Sequence, residues 1–148
     1  GHKRGQVLVQ TRHPNDISFF RLASHDFDGF VKAELKQRRV AQCPPFARFA
    51  LLRADSPIPS RSLKFVGLAA DIGRRWLAGE HIDRVEIFDP VPSPLERKAG
   101  RYRAQLLVSS RAYSPLHNFL EHWLQDLGKL KEGRNLRWSV DIDPIEMY

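Results

Sequence analysis

Past Pro44-Pro45 the apolar residues of this chain switch repeatedly between a two-residue and a three-to-four-residue spacing, and that alternation restricts the fold more than any other feature. Ala47 to Ala54 alternates as a strand, and Pro57-Ile58-Pro59-Ser60 breaks it, with Ser60 expected to cap the next helix. Leu63, Val66, Ala69, Ala70, Gly73, Trp76 and Leu77 then form a helical stripe that Gly79 closes. Val85-Glu86-Ile87-Phe88 reads as a short strand, Asp89 to Leu95 as a proline-studded loop, and Tyr102 to Ser109 as the next strand. Ser114-Pro115 reads as a cap with proline in the first helical position, ahead of Leu116, Phe119, Leu120, Trp123, Leu124 and Leu127 at strict helical spacing. Gly133 falls in the turn after that helix, and Arg137-Trp138-Ser139-Val140-Asp141 is the last strand.

The resulting order, β-α-β-β-α-β, is that of an α+β domain with a ferredoxin-like split β-α-β arrangement, in which both helices cover one sheet face and leave the other free. Side chains alternate across a strand, so Tyr102, Ala104, Leu106 and Val108 share one side, with Arg101, Arg103, Gln105 and Leu107 on the other. The apolar set must face the helices. By the same rule Trp138, Val140 and Ile142 point inward, and Arg137, Ser139 and Asp141 point to the open face. An open face bearing Arg101, Arg103 and Arg137 is a candidate phosphate-binding surface.

Upstream the pattern differs. Gln6 to Thr11 alternates like a strand but has no partner strand nearby. Ile17, Phe20 and Leu22 suggest a short helix, and Phe27, Phe30, Val31 and Leu35 mark a second, capped by Ser24 or Asp26 and ended by Pro44-Pro45. With 148 residues the chain can close one modest core with an extension attached. The expected division is residues 1–24, a connecting segment 25–46, and a domain over 47–148.

Charge clusters where the last half of the sheet begins. Arg97, Lys98, Arg101 and Arg103 surround Gly100 and Tyr102 and hold more than half of a net charge of +7. Such a run either contacts phosphate or serves as a solvated loop, and four charges so close exceed what solubility needs. Alternation assigns Tyr102 to the core rather than to base stacking.

Enzymatic chemistry finds little support. The single cysteine, Cys43, excludes an internal disulfide and a cysteine-rich zinc site within this chain and fits a reducing cytoplasm. The six histidines show no metal-ligand spacing, and Asp141, Asp143 and Glu146 read as a turn more than as a cation site. There is no phosphate-binding glycine loop, dinucleotide fingerprint or nucleophile elbow. No apolar run has the length of a membrane span, and no apolar signal region follows the first five residues.

Several short stretches, taken in order, resemble one family. Gly5 to Thr11 followed by Pro14, Arg38-Arg39 leading to Pro44-Pro45-Phe46-Ala47-Arg48, Pro90-Val91-Pro92-Ser93-Pro94, Gly100-Arg101-Tyr102-Arg103 and Val140-Asp141-Ile142-Asp143-Pro144 resemble the C-terminal part of the primosomal protein N-prime (PriA) family of bacterial replication-restart helicases. The resemblance implies that residues 1–24 are the end of the second helicase lobe, whose remaining strands would pair with the orphan strand. It implies an ATP-dependent 3′-to-5′ DNA helicase whose ATP, Mg²⁺ and Zn²⁺ sites lie upstream of Gly1, leaving this segment without cofactor and without catalysis.

Its partners, by the same resemblance, are branched or single-stranded DNA at stalled forks, the acidic tail of single-stranded DNA-binding protein, and other primosome proteins in the nucleoid-associated cytoplasm, with no membrane. Arg97, Lys98, Arg101 and Arg103 match the family's basic stretch, and Arg137 joins them from the open face. For tail docking the matching region holds Arg111, Tyr113 and His117; an arginine expected near Tyr113 is missing, so Arg111 or His117 substitutes. Two alternatives stand beside DNA binding: a protein-interaction module that docks the acidic tail with little DNA contact, and a ribosomal-type RNA-binding domain, which the β-α-β-β-α-β order also permits. Removal of a helicase lobe would leave Val7, Val9, Phe19 and Phe20 exposed.

Overall fold

The computed structural model of the chain describes residue 5, residues 7–80, residue 82 and residues 84–146, divided into two compact units, Gly1–Val40 and Ala41–Tyr148. The first unit holds two helices, α1 (Ile17–Ala23) and α2 (Phe27–Val40). The Asp16 carboxylate accepts from the Ser18 N–H at 2.8 Å to start α1, and Asp26 accepts from the Gly29 N–H at 3.0 Å to start α2. Ser24 does not cap α2; its hydroxyl donates to the Phe20 carbonyl at 2.9 Å and closes α1. Of the strand expected over Gln6 to Thr11, Gln6 lies outside the described residues and Val7 to Thr11 have no regular structure. An isolated strand has no partner for its backbone groups, which explains the difference. Val7, Val9 and Phe20 are exposed and Phe19 is half-buried, and neither helix has a buried residue.

The second unit is a five-stranded antiparallel sheet with two helices. Its strands are β1 (Arg48–Ser56), β2 (Val85–Ile87), β3 (Val91–Lys98), β4 (Arg101–Ser110) and β5 (Arg137–Ile142). The order is β2-β4-β1-β5, with β3 also paired to β4. β2 lies against Ser110 to Val108 and β3 against Gln105 to Arg101, so the two are successive lengths of one edge, linked by the Phe88 N–H donating to the Leu107 carbonyl at 3.0 Å. The ferredoxin-like frame therefore stands, with a broken second strand.

That edge corrects the loop expected over Asp89 to Leu95. Pro92 and Pro94 lack N–H donors and would disrupt a central strand, but an edge strand needs donors only on its paired side. A register shift between Pro92 and Arg97 absorbs the mismatch.

α3 (Pro59–Gly79) and α4 (Tyr113–Lys129) cover one face, with a short 3-10 helix, Lys131–Asn135, leading into β5. Neither helix uses the serine cap expected of it. Pro59 opens α3 behind Ile58, whose N–H is taken by the Ser56 hydroxyl at 3.1 Å, and Ala112 sits at the start of α4 with its N–H on the Ser110 hydroxyl at 3.2 Å. In both cases the preceding strand's last serine fixes the turn, so Ser60 and Ser114 fall inside the helices.

Phe65, Val66, Ala69 and Ala70 of α3 and Leu116, Phe119, Leu120, Trp123 and Leu127 of α4 pack on Ala50, Leu52 and Ala54 of β1 and Ala104, Leu106 and Val108 of β4. Leu63 is 41% exposed, because Ser62 occupies the position one turn before Phe65 and Val66 and Leu63 falls on the flank. Trp138 and Val140 pack against the core as expected, but Ile142, at the far end of the edge strand β5, is 51% exposed.

Candidate nucleic-acid interface

The basic cluster is not a loop leading into a strand but the tip of a hairpin. Ala99 (φ 51°) and Gly100 (φ 75°) join β3 to β4, and two successive left-handed residues make the two-residue turn whose twist suits a hairpin. Lys98 pairs with Arg101 and Arg97 with Tyr102. Directly opposed side chains share a face, so Lys98 and Arg101 project to one side and Arg97 and Tyr102 to the other. The Arg97 guanidinium lies over the Tyr102 ring, 5.4 Å from its centroid. Tyr102 is thus on the helix-facing side, as alternation requires, but it is only half-buried and is covered by arginine rather than by the core.

On the open face β1 runs between the two arginine-bearing strands. Asp55 lies opposite Arg103 of β4 and Arg137 of β5, and Arg53 lies opposite Gln105 and Ser139. Arg101 reaches diagonally to Asp55, its Nε donating to the carboxylate and its Nη2 to the Asp55 carbonyl at 3.1 Å. Arg53 donates to Asp141 at 2.9 Å and to the Glu146 carbonyl, while its Nε is buried without a partner. Among the described residues, the Arg103 and Arg137 side chains have neither a hydrogen-bond nor an ion-pair partner. Arg53, Asp55, Arg103, Arg137, Trp138 and Ser139 line a shallow cavity of about 340 Å³.

Sequence reasoning placed Arg101, Arg103 and Arg137 on this face and missed Arg53 and Asp55. The signal was present: Leu52 and Ala54 face the helices, so the same alternation sends Arg53 and Asp55 outward. Asp141 and Asp143 are each engaged by an arginine, Asp143 by Arg48 at 3.0 Å and by the Phe49 N–H at 3.2 Å. Among the described residues no three His, Cys, Asp or Glu side chains group as metal ligands.

The second predicted cluster forms at the opposite end of β4, about 30 Å from the hairpin tip at the rise of an extended strand. Tyr113 and His117, one helical turn apart at the start of α4, stack with ring centroids 5.6 Å apart and planes 12° apart. Arg111 precedes them, its Nε donating to Gln42 at 3.3 Å. His122 is separate and stacks on Trp76 at 5.2 Å.

The fold and this face define an α+β ferredoxin-like domain with an arginine-bearing sheet surface. A crystal structure of a dimeric ferredoxin-like protein from an uncultured marine organism shares the fold, with a TM-score of 0.50 and 9% identity over 65% of this chain and 92% of that one. Residues 39–145 match the family described as Primosomal protein N C-terminal domain, and the chain belongs to that family. It is similar to the replication restart protein PriA of Haemophilus influenzae, 27% identical over 98% of this chain and 19% of that protein. PriA of Rickettsia prowazekii is 30% identical over 100% of this chain and 21% of that protein. The chain thus spans about a fifth of the length of these relatives. No helix among the described residues is long and apolar enough to cross a membrane.

Proposed function

We propose that this chain is the DNA-contacting and partner-docking C-terminal domain of an ATP-dependent 3′-to-5′ replication-restart helicase of the cytoplasm, acting on branched or single-stranded DNA beside other primosome proteins. The observation that carries the reading is the pairing register, which collects Lys98, Arg101, Arg103 and Arg137 on the sheet face opposite the helices, where Arg103 and Arg137 have no ion-pair partner among the described residues. Guanidinium groups present planar donor pairs that match phosphate oxygens, and a sheet face contacting phosphates needs no base reading. Arg97, on the other side of the hairpin, extends the positive surface around the tip.

Fork DNA titrated across a salt series tests this. Alanine at Arg97, Lys98, Arg101 and Arg103 should weaken binding and flatten the log-log salt slope by about 0.7 to 0.9 for each phosphate-binding side chain removed. Unchanged affinity and slope would reduce the hairpin to a solubility feature.

A second reading, docking of the acidic tail of single-stranded DNA-binding protein, draws support from the Tyr113–His117 stack beside Arg111. That corner offers a cation and a flat aromatic surface to an acidic peptide with an apolar end. Titration with a tail peptide should respond to Arg111→Ala and Tyr113→Ala and ignore the hairpin substitutions.

A further inference from the structure

Arg103 and Arg137 flank a carboxylate. Asp55, on the strand between them, lies opposite both, and it is also the group that binds Arg101. We propose that Asp55 is a built-in competitor for phosphate: in the free chain its carboxylate occupies the position among Arg101, Arg103 and Arg137 that a nucleic-acid backbone phosphate takes in the complex. Asp55 thereby limits affinity and sets its salt dependence. This rests on the reading of the open face as the DNA surface.

A contrast on the same face supports the role. Arg53 bonds two separate residues, the Asp141 carboxylate and the Glu146 carbonyl, and so ties β1 to β5 and to the segment after it. Arg101 instead meets a single residue, through the Asp55 carboxylate and carbonyl, and both side chains stay partly open to water at 26% and 31% exposure. A phosphate that displaces the carboxylate leaves the guanidinium with another anion instead of stranding it, so the exchange costs little. The displaced guanidinium can offer its donors to phosphate in the same planar geometry it used for the carboxylate. Meanwhile Asp55 repels any polyanion approaching Arg103 or Arg137, which have no ion-pair partner among the described residues.

The test is a titration of the chain with oligothymidylate across a salt series, comparing wild type, Asp55→Asn, Asp55→Ser, Asp55→Asn with Arg101→Gln, and Arg103→Ala with Arg137→Ala. Release of one competing charge should tighten binding several-fold at low salt and steepen the log-log slope by about 0.7, one single-strand phosphate contact. Adding Arg101→Gln should remove the gain in slope. If the Asp55 variants melt like wild type but bind no tighter, Asp55 is only a staple between β1 and the hairpin, and the inference is overturned. Failure of both Asp55 variants to fold overturns it equally. If instead the Arg103 and Arg137 double variant binds as wild type does, the open-face reading itself fails. That outcome is distinct from intact arginine dependence with no gain at Asp55.

Discussion

The indole N–H of Trp123 donates to the Ala69 carbonyl at 2.8 Å, a bond between side chain and backbone that ties α4 to the middle of α3. Trp123 is buried and stacks on Phe119 at 5.2 Å, so this one side chain joins the helix layer both by polarity and by packing. Trp123→Phe keeps much of the ring but loses the donor and should cost on the order of 1 to 2 kcal/mol. Trp123→Ala adds a cavity and should cost about 3 to 5 kcal/mol. Urea unfolding followed by far-UV circular dichroism reads both.

Two glycines of α3 should respond oppositely to alanine. At Gly73 an added Cβ would meet the Ile87 side chain at 2.6 Å, Phe119 at 3.0 Å and Trp123 at 3.1 Å. The Ile87 methyl can swing aside, but Phe119 is fully buried and Trp123 is pinned to Ala69, so crowding should outweigh the gain in helix propensity. At Gly67 nothing lies within 4 Å, and alanine there should stabilise by about 0.5 to 1 kcal/mol. The thermal midpoints of the two variants should therefore move in opposite directions.

Local signals were the legible ones. The stripes of α3 and α4 and the inward rows of β1 and β4 were readable because periodicity is written residue by residue. β3 was not, since Pro92 and Pro94 argue against a strand until it is known to lie at an edge, and edge position is a property of the sheet. The serine caps failed for a related reason: Ser56 and Ser110, the last residues of strands, accept from the Ile58 and Ala112 N–H and fix the turns, so α3 and α4 begin before Ser60 and Ser114. Asp55 shows the same boundary at the candidate site. Its outward direction is readable from alternation, but its placement between Arg103 and Arg137 depends on which strands neighbour β1.

Acid should loosen the start of α1. Hydrogen bonding from the Ser18 N–H, reinforced by the Ser18 hydroxyl and by nearby His13, holds the Asp16 carboxyl below its usual value of 3.8. Because the folded-state value is the lower one, the cap contributes above the usual aspartate range and is lost as pH falls through the lowered value. Amide exchange at Ser18, corrected for its intrinsic pH dependence, should lose protection over that acidic window. Asp16→Asn keeps an acceptor without a titrating charge, and its Ser18 protection should stay flat across the same window.

The hairpin tip carries a removable strain. Ala99 holds a φ of 51° with a Cβ, whereas its neighbour Gly100 holds 75° without one. Left-handed backbone costs an ordinary residue roughly 1 to 2 kcal/mol, and asparagine tolerates it better than alanine does. Asn-Gly is also the pair this two-residue turn prefers. Ala99→Asn should therefore stabilise the second unit by about 0.5 to 1 kcal/mol. Gly100→Ala should destabilise it by a similar amount for the opposite reason, although open space surrounds that position. Neither substitution changes a charge, so DNA affinity should follow hairpin order alone: slightly tighter for Ala99→Asn, weaker for Gly100→Ala, with the salt slope unaltered in both. A changed slope would mean that the turn backbone itself contacts phosphate.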